Sequence, residues 1–118
     1  MKAQKDRAKL KKEIDALLVA CDALVLPTLP IPAPVIGADT VAIGEKDEPI
    51  RPLMLRLTQL FNLTGHPAIS LPCGSTKDGL RCGLQLAGRH QGTLDLLGLS
   101  LVCEPLVTPP GLRPSVDY

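Results

Sequence analysis

Aromatic side chains are almost missing from this 118-residue chain: it has no tryptophan, one phenylalanine (Phe61) and one tyrosine (Tyr118). Apolar residues nevertheless make up 45% of it, so any core must be built from Leu, Val, Ile and Ala. A surplus of charge is missing too. Thirteen basic residues face twelve acidic ones, and a net charge of +1 sets up no field that would gather nucleic acid or an anionic membrane. No apolar run approaches the roughly 20 residues that a membrane-spanning helix needs. We therefore expect a soluble, cytoplasmic protein with no membrane and no nucleic-acid partner. In that setting Asn62, which opens an Asn-Leu-Thr triplet, is not a glycosylation site.

Metal and cofactor signals are equally scarce. Cys21, Cys73, Cys82 and Cys103 form no CxxC pair and no finger-like spacing with His66 or His90. The thiols read as reduced, largely buried small hydrophobes, and we expect neither metal nor cofactor. Hydrolytic machinery is missing as well. Ser70 lies in an apolar run without the Gly-x-Ser-x-Gly turn that exposes a nucleophile. Ser75 and Lys77 have the residue types of a Ser-Lys pair but share a polar turn, where a lysine stays hydrated and protonated. His66, held between glycine and proline, reads as structural.

What is present is an alternation of elements. Residues 2–20 repeat apolar positions at helical spacing (Leu10, Ile14, Leu17, Leu18, Cys21). The six basic residues before Glu13 form the solvated face of that helix, interrupted by Asp6. "DALVLPT" (22–28) is a short strand ending at proline. Prolines 27, 30, 32 and 34 exclude helix after it, and some twenty residues read as a loop, with Ile31, Val35 and Ile36 laying it across a surface. Residues 51–62 make a second helix with proline near its start. "PAISLPC" and "CGLQLAG" then read as a β-hairpin turned at Asp78-Gly79. Thr93 is placed to cap a last helix, on which Leu94, Leu97 and Leu101 share a face. The fold class is α/β.

The order of "DALVLPTLPIPAP", "LTQLFNLTGHPAISLPCG", "GLRCGLQLAGRH" and a Leu-rich helix ending at Glu104 resembles the C-terminal portion of the amidase-signature enzymes. That family includes amide hydrolases and the A subunit of glutamyl-tRNA(Gln) amidotransferase. The resemblance implies a fragment of a mixed β-sheet core flanked by helices, with residues 1–104 the C-terminal part of an amidase domain. Residues 105–118 read as an irregular, proline-rich tail. Family catalysis rests on a Ser–cis-Ser–Lys triad carried on a Gly/Ser-rich segment, and no such segment occurs here. The resemblance thus implies sheet scaffold and one pocket wall, with no catalytic residue in this chain. A small-molecule amide would bind only when the missing N-terminal part is joined.

In the same family the pattern Asn62, Gly65, Pro67, Ala68 leads a helix into a core strand, and we expect Asn62 to hold that turn through its amide. The resemblance also places Leu55 and Thr58, one turn apart on one helix face, toward the acyl part of the substrate. Glutamine-specific members tend to carry an acidic residue near Leu55. A leucine there favours a broader amidase over the tRNA-amidotransferase reading. A free-standing interaction module is the competing reading, and exposed sheet edges would let either form self-associate.

Overall fold

The computed structural model describes residues 1–111. Helix α1 (Lys2–Leu17) is followed by strand β1 (Leu24–Pro27), a hairpin of β2 (Thr40–Ile43) and β3 (Lys46–Pro49), and two short helices, α2 (Ile50–Leu55) and α3 (Gln59–Thr64). Strands β4 (Ala68–Ser75) and β5 (Arg81–Ala87) come next, and α4 (Thr93–Val107) closes the order. The architecture is α/β, with every described strand pair antiparallel.

The main sheet runs β1-β5-β4, so β5 is central. Its composition fits the place. β5 has no proline, whereas Pro27 and Pro72 fall on the edge strands β1 and β4, where no inner ladder bond is lost. Thr76 N–H donates to the Leu80 carbonyl (2.8 Å) and Gly79 N–H to Thr76 O (3.0 Å), closing the β4–β5 turn. Gly79 takes a φ of +82°, a conformation that favours glycine.

Two layers cover the sheet. On one face Ala87 meets Ile14 of α1, Leu18 just past its end and Phe61 of α3, with Leu24 and Leu26 packed alongside. On the other, Leu71 and Leu86 meet Leu96 of α4, flanked by Ile69, Cys103 and Val107. Arg89 ties α1 to the sheet by donating from Nε to Leu18 O (3.0 Å) and from Nη2 to Cys21 O (3.2 Å). A cation so placed satisfies carbonyls that the helix end leaves free.

The structure departs from these expectations in several places. The loop after β1 is not structureless, since β2 and β3 form a hairpin around Gly44 (φ +62°) and Glu45. Of its apolar residues only Ile31 is buried, while Val35 and Ile36 point to solvent. The single helix over 51–62 is broken at residues 56–58 into α2 and α3. Thr93 is the first residue of α4 rather than its cap; Gly92 holds the cap position, with no side-chain bond. Finally, Leu94, Leu97 and Leu101 do share a face, but it is the solvent face, at 83%, 45% and 73% exposure. The inward stripe is Leu96, Ser100, Cys103 and Val107. α4 continues through Pro105 to Val107, where Thr108 Oγ1 donates to Pro72 O (2.6 Å). Of the tail, residues 112–118 lie outside the described residues.

Candidate functional site

A hollow lies where the proline-rich segment after β1 crosses the main sheet. It has a volume of about 690 Å³. Residues 27–34 form one wall, Met54 of α2 reaches in from the side, and Ser70, Pro72, Gly83 and Leu84 contribute from the sheet. Four prolines in eight residues explain the wall. Each fixes its own φ and removes a donor, so the segment stays extended and presents ring faces.

Two hydroxyls meet in this hollow. Thr28 Oγ1 and Ser70 Oγ are 2.5 Å apart and hydrogen-bonded to each other. Thr28 N–H also donates to Gly83 O (3.0 Å), which continues the β1–β5 ladder by one residue. Gly83 makes the pair possible. A Cβ there would stand 2.6 Å from Ser70 Oγ and 2.8 Å from Thr28 Oγ1. Among the described residues neither hydroxyl is hydrogen-bonded to a Lys, His, Asp or Glu side chain that could serve as a base. Arg81 supplies the one formal charge among the lining residues.

A second polar centre sits on the opposite side of the turn between α3 and β4. His66 is buried; its Nε2–H donates to Asp15 Oδ1 (3.0 Å), and its Nδ1 lies 2.8 Å from Thr64 Oγ1. Thr64 in turn donates to Leu60 O (3.0 Å). Lys11 Nζ donates to Asp15 Oδ2 (2.9 Å), and the Lys11 and His66 hydrogen bonds hold the Asp15 carboxyl below its ordinary value of 3.8. The array has the residue types of a relay but no nucleophile at its end. It fastens α1 to the α3–β4 turn.

That turn is where the Asn62–Ala68 pattern lies. Gly65 adopts φ +76° and closes α3 in the left-handed conformation, as expected of this position. Pro67 O accepts from Gly88 N–H (2.9 Å), and Ala68 pairs with Ala87. Asn62 differs from expectation. It is exposed and makes no side-chain hydrogen bond to a described residue, because Thr64 and His66 hold the turn instead.

Leu55 and Thr58 fall on either side of the α2–α3 break and so do not share one helix face. Leu55 ends α2 at 41% exposure, and Thr58 precedes α3, half-buried. Neither lines the groove; Met54 does. The break has a partner that sequence reasoning missed. Gln85, buried at the centre of β5, donates from Nε2 to Leu57 O (3.3 Å). Ser75 ends β4 and Lys77 stands in the turn beyond, both exposed. No group of three or more His, Cys, Asp or Glu among the described residues could hold a metal.

Residues 1–96 match the profile of the Amidase family. The chain belongs to that family. Among curated amidase-family relatives, the glutamyl-tRNA(Gln) amidotransferase A subunit of Koribacter versatilis is 42% identical over 94 residues, which is 76% of this chain and 18% of that protein. The fatty acid amide hydrolase of Arabidopsis thaliana is 38% identical over 97 residues, covering 82% of this chain and 16% of its own length. A crystal structure of an amidase superposes with a TM-score of 0.81 at 31% identity, over 87% of this chain and 24% of the other. The chain therefore spans less than a quarter of the length of these amidase-family proteins. It is a fragment of the amidase-signature fold, with the sheet, the proline-rich strap of residues 27–34 and α4 as its parts.

Proposed function

We propose that this segment forms one wall of the amide-binding pocket of an amidase-signature hydrolase, and that the attacking serine, its relay serine and the lysine come from polypeptide outside it. The observation that carries the reading is the groove beneath residues 27–34. It is apolar, open, and floored by a hydroxyl pair already satisfied within itself. Such a surface can bury the carbon skeleton of an amide, and no Lys, His, Asp or Glu stands among its lining residues to activate the hydroxyl pair.

The isolated segment is thus inactive, and the groove acts on specificity. In the longer protein we assign Met54 to the groove wall and retain Leu55 and Thr58, on the neighbouring break, as residues near the acyl side. An apolar residue at Leu55 suits an uncharged amide better than one bearing an ammonium. The tRNA-amidotransferase role remains the second reading, favoured by the 42% identity to a protein of that kind.

The test is a chimera in which residues 5–104 replace the corresponding segment of an amidase of this family. Hydrolysis of a simple uncharged amide, lost on removal of the host's serine, is the expected result. In that chimera Leu55→Asp shifts the ratio of kcat/KM toward glutamine, because a carboxylate near the acyl side can pair with the substrate's ammonium where a leucine cannot. A correctly folded chimera without activity on any amide would remove the reading.

A further inference from the structure

Strands β4 and β5 pair regularly from Ala68↔Ala87 to Pro72↔Gly83, and then the register slips: the next partners are Gly74↔Cys82. Cys73 is the extra residue of a β-bulge, so Cys73 and Gly74 together oppose Cys82. Gly74 is the direct partner of Cys82, where an antiparallel pair brings Cα atoms to about 4.5–5.5 Å, and Cys73 is its chain neighbour within the bulge. Disulfides span about 4.4–6.8 Å between Cα atoms. A second observation brings the side chains to one place, since Cys73 and Cys82 both line the groove under the proline strap. Both are free thiols and half-buried, hence within reach of a small oxidant. Cys21 is packed against the α1 layer on the other face of the sheet, and Cys103 lies on α4.

We propose that Cys73 and Cys82 are a redox-active pair that forms a cross-strand disulfide at the groove. The co-reactant is a hydroperoxide. One thiol sulfur attacks its terminal oxygen; an S–O bond forms, the O–O bond breaks, and water or an alcohol leaves. The second thiol then attacks the resulting sulfenic sulfur, an S–S bond forms, the S–O bond breaks and water leaves. Two thiols are oxidised by two electrons, and one peroxide is reduced. The new bond clamps the bulge and fixes the floor beside Ser70 and Gly83. In a reducing compartment a pair of this kind is transient and reversible, which makes it a site of modification rather than a permanent staple.

The whole chain is exposed to hydrogen peroxide, blocked with iodoacetamide, digested without reduction and mapped by mass spectrometry. The expected product is monomeric, lighter by two hydrogens, with residues 73 and 82 in one cross-linked peptide and Cys21 and Cys103 alkylated. Dithiothreitol restores four alkylatable thiols. A Cys21→Ala/Cys103→Ala variant, which keeps the pair, gives the same cross-link, while Cys73→Ser gives no intramolecular cross-link. Oxidation to sulfinic acid without a cross-link overturns the proposal. So does a disulfide in any other pairing or between molecules, or four unmodified thiols.

Discussion

Gly83 is the residue on which the groove depends most. Its missing side chain leaves room for the Thr28–Ser70 hydroxyl pair, and both hydroxyls belong to short side chains that cannot swing far. Gly83→Ala is expected to destabilise the chain by about 1–3 kcal/mol, the range typical of overpacking. Ser70→Ala should relieve part of that cost, and a double-mutant cycle by urea denaturation measures the coupling. Asp15 is the residue to read by pH. Its carboxyl is held below the ordinary value by Lys11 and then by His66, so the folded state binds its proton less readily than the unfolded chain. Its contribution is complete above about pH 4 and is lost as pH falls through the lower folded-state value. Half-exposure keeps the effect modest. Asp15→Asn is therefore expected to flatten the acid limb of stability against pH, with little change in its slope above about pH 5. At this scale the sequence said little about His66. Asp15 lies 51 residues away, and nothing local announces their meeting.

Among the elements, legibility followed how locally each one is determined. The β4–β5 hairpin could be read because its turn carries Asp78-Gly79 and its strands are short and apolar. The β2–β3 hairpin could not, since β3 is Lys-Asp-Glu-Pro, with no alternating apolar face to betray a strand. Gly44 after "TVAI" was its one available signal. The α2–α3 break has neither proline nor glycine at residues 56–58, and the partner that meets it, Gln85, comes from another strand. The groove was visible only as a run of prolines; its sheet side needed the fold. For α4 the period was legible and the phase was not. A helix apolar on all sides does not announce which stripe packs. This yields a contrast between two substitutions. Leu96→Ala, at 4% exposure, is expected to cost about 2–5 kcal/mol, within the range for buried leucines. Leu94→Lys with Leu101→Lys, at 83% and 73% exposure, should leave the denaturation midpoint nearly unchanged while lowering binding of a hydrophobic dye.

At the scale of the whole molecule the features agree on one account. Large aliphatic side chains such as Val25, Ile36, Leu94 and Leu106 stand at 62%, 100%, 83% and 81% exposure, and among the described residues neither β1 nor β4 pairs with a strand on its outer edge. Surfaces of that kind are hazards for an isolated domain and ordinary interior for a segment of a fold four or more times longer. On the function proposed above, this segment shapes a pocket whose chemistry resides elsewhere. The most direct test of that function is ammonia release by the purified 118-residue chain on simple amides and on glutamine, with Ser75→Ala measured alongside. The account predicts a rate equal to buffer for both proteins. Turnover above buffer that disappears in Ser75→Ala would contradict it and make the β4–β5 turn an active site.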